Sequence, residues 1–407
     1  MKRYWPLPAG AVCLPIFLTF SAFALEVPAG TSLEIRLKNK VSTQNAKPKE
    51  PVEAVVIAPV MVNGEFAIPA GAMVRGAVEK AAQSTKPDER SVLVLNFSEL
   101  EMSGHKKKIA AQVAGVDNAR ESIDDQGQIN GILPSETITG EIDAGLNKLA
   151  NRYSGLADVL SAAKSAVLKP ADTDITYDAG TEMELKLKMP LSLDGAAGPG
   201  PAAQVGAIPD TEALASLVAR EPFQTVAQKP PKPSDITNVM LIGSEDAVRK
   251  AFADAGWSSA AGLNAQAKFE TFKAIAEARG YSEAPVSVLL LDGKPPDLVF
   301  EKLNNTFAQR HHLRVWRRPA AFQGSPVWAV TATHDTGISF SQQDRTFIHK
   351  IDSQIDRERA KVVNDLIFSG HVQAMALVDR ANVPQHGQNA TGDSLDTDGK
   401  LAVLMLK

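Results

Sequence analysis

A chain of 407 residues with 44% hydrophobic and 22% charged side chains has the apolar content for two folded domains with sizeable cores. A formal net charge of −4 and a pI near 6.0 give no basis for nucleic-acid binding. The single cysteine, Cys13, lies in the N-terminal leader, so disulfides, thiolate metal sites and cysteine nucleophiles are excluded from the chain beyond it.

The leader reads as a secretory signal. Lys2 and Arg3 form a positive n-region, Ala11 to Phe20 is a short apolar run interrupted by Pro15, and Ala22-Phe23-Ala24 is a small-x-small cleavage signal. Residues 1–24 are therefore expected to be removed, leaving Leu25 as the first residue of a mature chain with no transmembrane helix. Export without cysteines points to a bacterial periplasm or an envelope-associated location.

Residues 25–193 are expected to form a β-rich domain, a barrel or sandwich carrying a helical insertion. Leu33, Ile35 and Leu37 alternate with polar neighbours, as in a half-buried strand. An apolar run from Val52 to Val62 ends at Asn63-Gly64, a strong hairpin signal, and a return strand passes through Val74 to Val78. Arg90 to Leu100 and Ile109 to Val116 form a second hairpin across Ser103-Gly104. Ala29-Gly30-Thr31-x-x-Glu34-x-x-Leu37-Lys38 recurs as Ala179-Gly180-Thr181-x-x-Glu184-x-x-Leu187-Lys188. The two copies are expected to be the first and last strands of one sheet closing on itself, which removes exposed edges. Between them, Leu146, Leu149, Leu156, Val159, Leu160, Ala163 and Val167 follow helical spacing. The Pro28-Ala-Gly-Thr31 opening, Ile68-Pro-Ala-Gly71-Ala-x-Val-x-Gly76, Arg90 before a strand and the closing Ala179-Gly-Thr181 resemble the β-barrel of TrbI-like conjugal-transfer proteins of type IV secretion. The resemblance implies a shared barrel fold; the proline-rich arm and membrane helix of those scaffold proteins have no counterpart here.

Residues 194–234 read as a Pro/Gly-rich linker, with a weak helix at Asp210 to Arg220. Residues 235–407 mix strands and helices without βαβ regularity and are expected to be α+β. The expected elements are strand Asn238 to Ile242, helix Glu245 to Ala255 capped by Ser244, and a helix at about Ala265 to Arg279. A hairpin follows, Val286 to Leu291 with Leu298 to Leu303, then strands at 311–318 and 326–340. Helix Ser353 to Phe368 and strands Val372 to Val378 and Leu401 to Leu406 complete the chain. The pieces Leu241-Ile-Gly-Ser244, Ala255-Gly-Trp257, Arg310-His-His-x-Arg-x-Trp316, Thr333-His-Asp335, His349-x-Ile-Asp352, Asp356-x-Glu-Arg359 and Thr397-Asp-Gly399 resemble, in order, the C-terminal domain of LssY-like proteins. In some relatives this domain is fused to an integral-membrane phosphatidic-acid-phosphatase-type domain. That enzyme is lacking here, and the resemblance supplies no established activity.

Six of the seven histidines lie beyond residue 310, among acids and arginines in segments that otherwise read as buried. Buried ionisable groups are costly unless paired. Strand alternation places His312 with Arg314 and Trp316, opposite His311. It likewise separates Asp335, with Thr331 and Thr333, from His334, with Trp328 and Val330. Arg359 falls in the apolar stripe of the last helix and needs a carboxylate, from Asp356 or from Asp335, while Ser353-x-x-Asp356 fits a capping-box variant. Three readings follow. A divalent metal would use His311 or His312, Asp335, His349 and Asp352, although no HExxH or HxH spacing is present. A phosphoester site would place an anion at the helix start near Ser353, with His349 and with Arg314 or Arg357, and would make His312, Asp335 and His349 the catalytic candidates. A third reading has no chemistry: an ion-pair network fixing a binding module, with Arg314, Trp316, Arg357 and Arg359 as its binding residues. The leading expectation is a non-catalytic binding or assembly module with no cofactor and an envelope protein or lipid as partner. The alternative is a hydrolase acting on phosphate-bearing envelope lipids or related phosphoesters.

Overall fold

A computed structural model describes residues 25–137, 139–140, 172–195, 205–228, 231–260, 288–302, 309–341 and 346–407, without the side chains of 337–349. The leader at 1–24, the helical insertion at 146–167 and the helix expected at 265–279 lie outside the described residues.

The N-terminal part is a closed six-stranded barrel. Its strands are β1 (Ser32–Leu37), β2 (Pro51–Val56), β3 (Met73–Ala82), β4 (Val92–Met102), β5 (His105–Val116) and β6 (Glu182–Leu187). Each pairs antiparallel with the next, and β6 closes the ring on β1. Inward residues such as Leu33, Ile35, Val52, Val74, Phe97, Val113 and Leu185 fill the interior. The internal echo has a structural cause. Leu33 pairs with Leu185 and Ile35 with Met183. Gly30, at φ +83°, donates its N–H to Leu187 O at 2.7 Å, and Gly180, at φ +100°, donates to Leu37 O at 2.8 Å. Each Ala-Gly-Thr turn thus finishes the other copy's strand, and glycine supplies the left-handed backbone the turn requires. One expectation is corrected here. The run Val52 to Val62 is not one strand: β2 ends at Val56, and Val60–Val62 forms a separate hairpin with Glu65–Ile68 around Asn63-Gly64. Pro59, which has no N–H to donate, stands in the break.

The second part has β7 (Gln224–Gln228), β8 (Pro231–Ile236), β9 (Val239–Ile242), β10 (Leu289–Leu290), β11 (Leu298–Lys302), β12 (Arg310–Phe322), β13 (Ser325–Ser341), β14 (Thr346–Ile351), β15 (Val372–Asp379) and β16 (Lys400–Leu406). Its helices are α1 (Thr211–Val218), α2 (Glu245–Asp254) and α3 (Ile355–Phe368). The main sheet runs β15-β16-β9-β13-β12-β11, with β14 on the distal half of β13. Helices α2 and α3 cover one face through Val248, Phe252, Val362 and Leu366, packed on Leu241, Val315, Val330 and Leu404. On the other face α1 packs on Met240, Ile242 and Val403. A small sheet, β8-β7-β10, lies beside it.

Two sequence expectations change here. Residues 206–236 are not all linker: Gly206–Ala207 joins the main sheet, α1 packs on it, and β7 and β8 form strands. Pro231 and Pro233 are compatible with a strand because β8 is an edge of its sheet, where a missing N–H costs no ladder bond. The hairpin expected across Asp292-Gly293 keeps its turn, with both residues at positive φ, but β10 pairs with β7 and β11 with β12.

Candidate functional site: the buried polar network and the junction

The alternation of β12 and β13 splits the polar cluster into two layers. On one face, β12 contributes Arg310, His312, Arg314 and Trp316, β13 contributes Thr331, Thr333 and Asp335, and β11 contributes Glu301, opposite His312. All are buried. Arg310 donates to Asp335 at 2.9 Å and to Glu301 at 3.1 Å. His312 Nε2 lies 2.8 Å from Thr333 Oγ1, and its Nδ1 lies 3.5 Å from Asp335 Oδ1. Arg314 donates to Asp235 of β8 at 2.9 Å. Burial pushes the Asp235 carboxyl above its usual range against the pull of Arg314, and burial pushes Arg314 down. Trp316 Nε1 donates to Lys294 O at 3.0 Å.

The opposite face meets the barrel. His311 and His334 stack with ring centroids 4.1 Å apart and planes 17° apart. His311 bridges two carboxylates: Nδ1 is 2.7 Å from Glu358 of α3, and Nε2 is 3.0 Å from Asp117, just after β5 of the barrel. Burial opposes a charge on this ring, but Glu358 and Asp117 overcome it and raise its pKa from 6.5 to about 9. Burial, reinforced by the charge on His311, pushes His334 down. His334 Nε2 donates to Asn118 Oδ1 at 2.9 Å.

A second junction cluster centres on Glu182, the first residue of β6. Its Oε1 accepts from Arg36 Nη2 at 2.7 Å and from Lys302 Nζ at 2.5 Å, and its Oε2 accepts from Lys361 Nζ at 2.6 Å. Burial opposes ionisation, yet Lys302, Lys361 and Arg36 hold the carboxyl well below the usual range. Lys302 also donates to Asp365 at 2.7 Å, and Trp257 Nε1 reaches the same Asp365 oxygen at 2.9 Å.

The structure thus gathers His312 with Asp335, and it places His311 on the other face with the barrel. Arg359 makes a two-pronged pair with Asp398, both bonds 2.8 Å, and bonds Asp356 at 3.0 Å. Asp335 is not its partner, because that carboxylate lies on the sheet face away from α3. Asp356 forms no capping box: it accepts from Asp398 N at 2.6 Å and Thr397 Oγ1 at 2.9 Å, while the N-cap is Gln354 with no side-chain bond. Arg314 is likewise on the face away from the start of α3. Asp352 accepts from Gln354 N at 2.9 Å, with the exposed Arg357 at 3.5 Å. His349 sits opposite Ile338 on β14, and its side chain lies outside the described residues. Among the described residues, no group of three or more His, Cys, Asp or Glu side chains is arranged to hold a metal ion. Sequence reasoning missed Asp117, Asn118, Glu182, Lys302, Glu358, Lys361 and Asp365. Glu358 was findable, since it falls in the apolar stripe of α3 three residues after Ile355; the barrel partners carry no such signal.

Residues 220–401 match the LssY C-terminus family model. The matched region begins before the boundary expected at 235 and takes in β7 and β8, the second of which supplies Asp235 to the buried layer. No curated protein matches the chain. Among solved structures, the chain is similar to ComB10 of the Com type IV secretion system of Helicobacter pylori, at 12% identity and a TM-score of 0.24. The match covers 41% of this chain and 89% of that one. No helix among the described residues is long and apolar enough to cross a membrane.

Proposed function

We propose that this chain is an exported cell-envelope protein whose barrel and LssY domain act as one docked, non-catalytic binding or assembly module. The location follows from the secretory leader read in the sequence. The observation that carries the rest is Glu182: a barrel carboxylate only 6% exposed, met by Lys302 and Lys361 of the LssY domain. With His311 bridging Asp117 and Glu358, the histidine-rich motif serves as a joint. Its charges go to fixed partners across the junction, and such pairs favour one register over others.

The test replaces Glu182 with Gln and compares small-angle scattering of the folded proteins. Docked domains should separate or loosen, because Lys302 and Lys361 lose a shared counter-charge, and breaking a buried pair costs on the order of 3 kcal/mol. An unchanged profile would refute the joint. Hydrolysis of p-nitrophenyl phosphate by the native protein, lost in a folded His312→Ala variant, would replace this reading with the hydrolase.

A further inference from the structure

Glu182, at the start of β6, and Asp117, just after β5, stand at the end of the barrel that meets the LssY domain. The opposite end carries the Ser103-Gly104 turn between β4 and β5 and the chain leaving β6. There Lys186 pairs with Gln112, and Lys188 N donates to Ala110 O at 2.7 Å, which lays the end of β6 beside the start of β5. Leu185 and Leu187 of β6 and Ala111 and Val113 of β5 point into the core. Alternation therefore sends Lys186 and Lys188, with Lys106 and Lys108, to the outer wall. All four are exposed.

The acids around them are already engaged. Lys106 meets Glu99 at 3.0 Å, which Arg75 also meets at 3.2 Å, and Lys107 meets Asp194 at 2.6 Å. Glu184, the outward residue before Lys186, accepts from the Ser32 hydroxyl. Lys108, Lys186 and Lys188 have no hydrogen-bond or ion-pair partner among the described residues. This local surplus of positive charge stands on a chain whose net charge is −4. A second, independent sign is apolar. Met189, directly after Lys188, is 62% exposed, more than any other large hydrophobic side chain among the described residues. Leu25, where the expected leader joins, pairs with Leu193 at this same end. Flexible ammonium stems around one thioether offer no fixed hydrogen-bonding geometry, which suits a fluid layer of phosphates better than a shaped protein face. At such a layer lysine stems lie along the apolar boundary with their charges among the headgroups.

We propose that this end of the barrel docks on an anionic phospholipid bilayer, with Lys106, Lys108, Lys186 and Lys188 at the headgroup phosphates and Met189 at the acyl boundary. The junction, at the opposite end of the strands, stays clear of that surface. The assignment names a partner for the binding module and rests on the envelope location proposed for it.

The experiment is flotation of the full chain, without its leader, on vesicles of equal parts phosphatidylcholine and phosphatidylglycerol, against phosphatidylcholine alone. Binding is expected on the anionic vesicles only, at low salt, and should be lost in about 1 M salt. Lys108→Gln/Lys186→Gln/Lys188→Gln should weaken it about a hundredfold, since each lysine at an anionic surface contributes about fivefold. Met189→Ser, which leaves every charge in place, should weaken it about fivefold. Lys47→Gln/Lys49→Gln/Lys80→Gln removes three exposed lysines toward the opposite end of the barrel and should bind as the native protein does. All the substituted side chains are exposed, so the melting temperature should not change. Equal binding to the neutral vesicles, no binding to the anionic ones, or equal losses in the two lysine triples would overturn the docking surface. The docked module is tested separately, by the scattering of Glu182→Gln, and does not fall with it.

Discussion

At the scale of single residues, His311 is where burial and charge compete most openly. Its folded pKa of about 9 exceeds the 6.5 of the unfolded ring. The stabilisation is therefore complete below about pH 6.5 and disappears as pH rises through 9. At about 1.4 kcal/mol per pH unit this is roughly 3 kcal/mol. His334 acts in the opposite sense: its depressed pKa favours the native state above 6.5 and is a burden in acid. The melting temperature should therefore fall between pH 7 and 10 in the native protein, and His311→Gln should flatten that limb. A variant that keeps the full alkaline decline would show that another group titrates there. The two faces of β12 could be read from the sequence, because alternation fixes them whatever lies outside. The partners of His311 could not, since Asp117 is 194 positions away and its approach depends on how one domain sits on the other.

At the scale of elements, α3 shows what periodicity reveals and what it hides. The stripe Ile355, Val362, Val363 and Leu366 is buried as its spacing requires, and Arg359 lies within it at 8% exposure. The need for a carboxylate was legible in that position. The identity of the main partner, Asp398, was not, because it belongs to the turn before β16, far along the chain. Replacing Arg359 with Ala should cost about 2–3 kcal/mol in urea unfolding, toward the low side of buried pairs because Asp398 is 39% exposed. Lys at this position should recover little, since an ammonium cannot match the two-pronged geometry. Full recovery by Lys would reduce the interaction to a point charge. The cap of α2 was also legible: Ser244 Oγ accepts from Ala247 N at 3.1 Å. The strands hidden in the proline-rich stretch were not, because proline signals loop or edge alike until the neighbouring strand is known.

At the scale of the whole molecule, the junction is held by ion pairs whose members are mostly buried, such as Lys302 and Glu182 at 6% and 5% side-chain exposure. Salt screens charges through solvent, and such pairs are largely shielded from it. Scattering profiles should accordingly stay the same between about 0.1 M and 1 M salt, where the Debye length falls from about 10 to 3 Å. Separation at high salt would mean that the pairs with the more exposed members, Asp117 and Lys361, do the holding. The barrel itself was legible as a closed ring because the repeated Ala-Gly-Thr turn marks both ends of the closure.

That closure also imposes an order in time. Glu182 opens β6, the strand that completes the ring, so the carboxylate Lys302 needs is fixed in place only once the chain through Leu187 has folded. A chain made N-terminus first presents the finished barrel before Lys302 and Lys361 are available to meet it. The barrel is then the template on which the later domain settles, and the later domain, produced alone, would carry two lysines that share the single carboxylate of Asp365 until its predecessor adds Glu182.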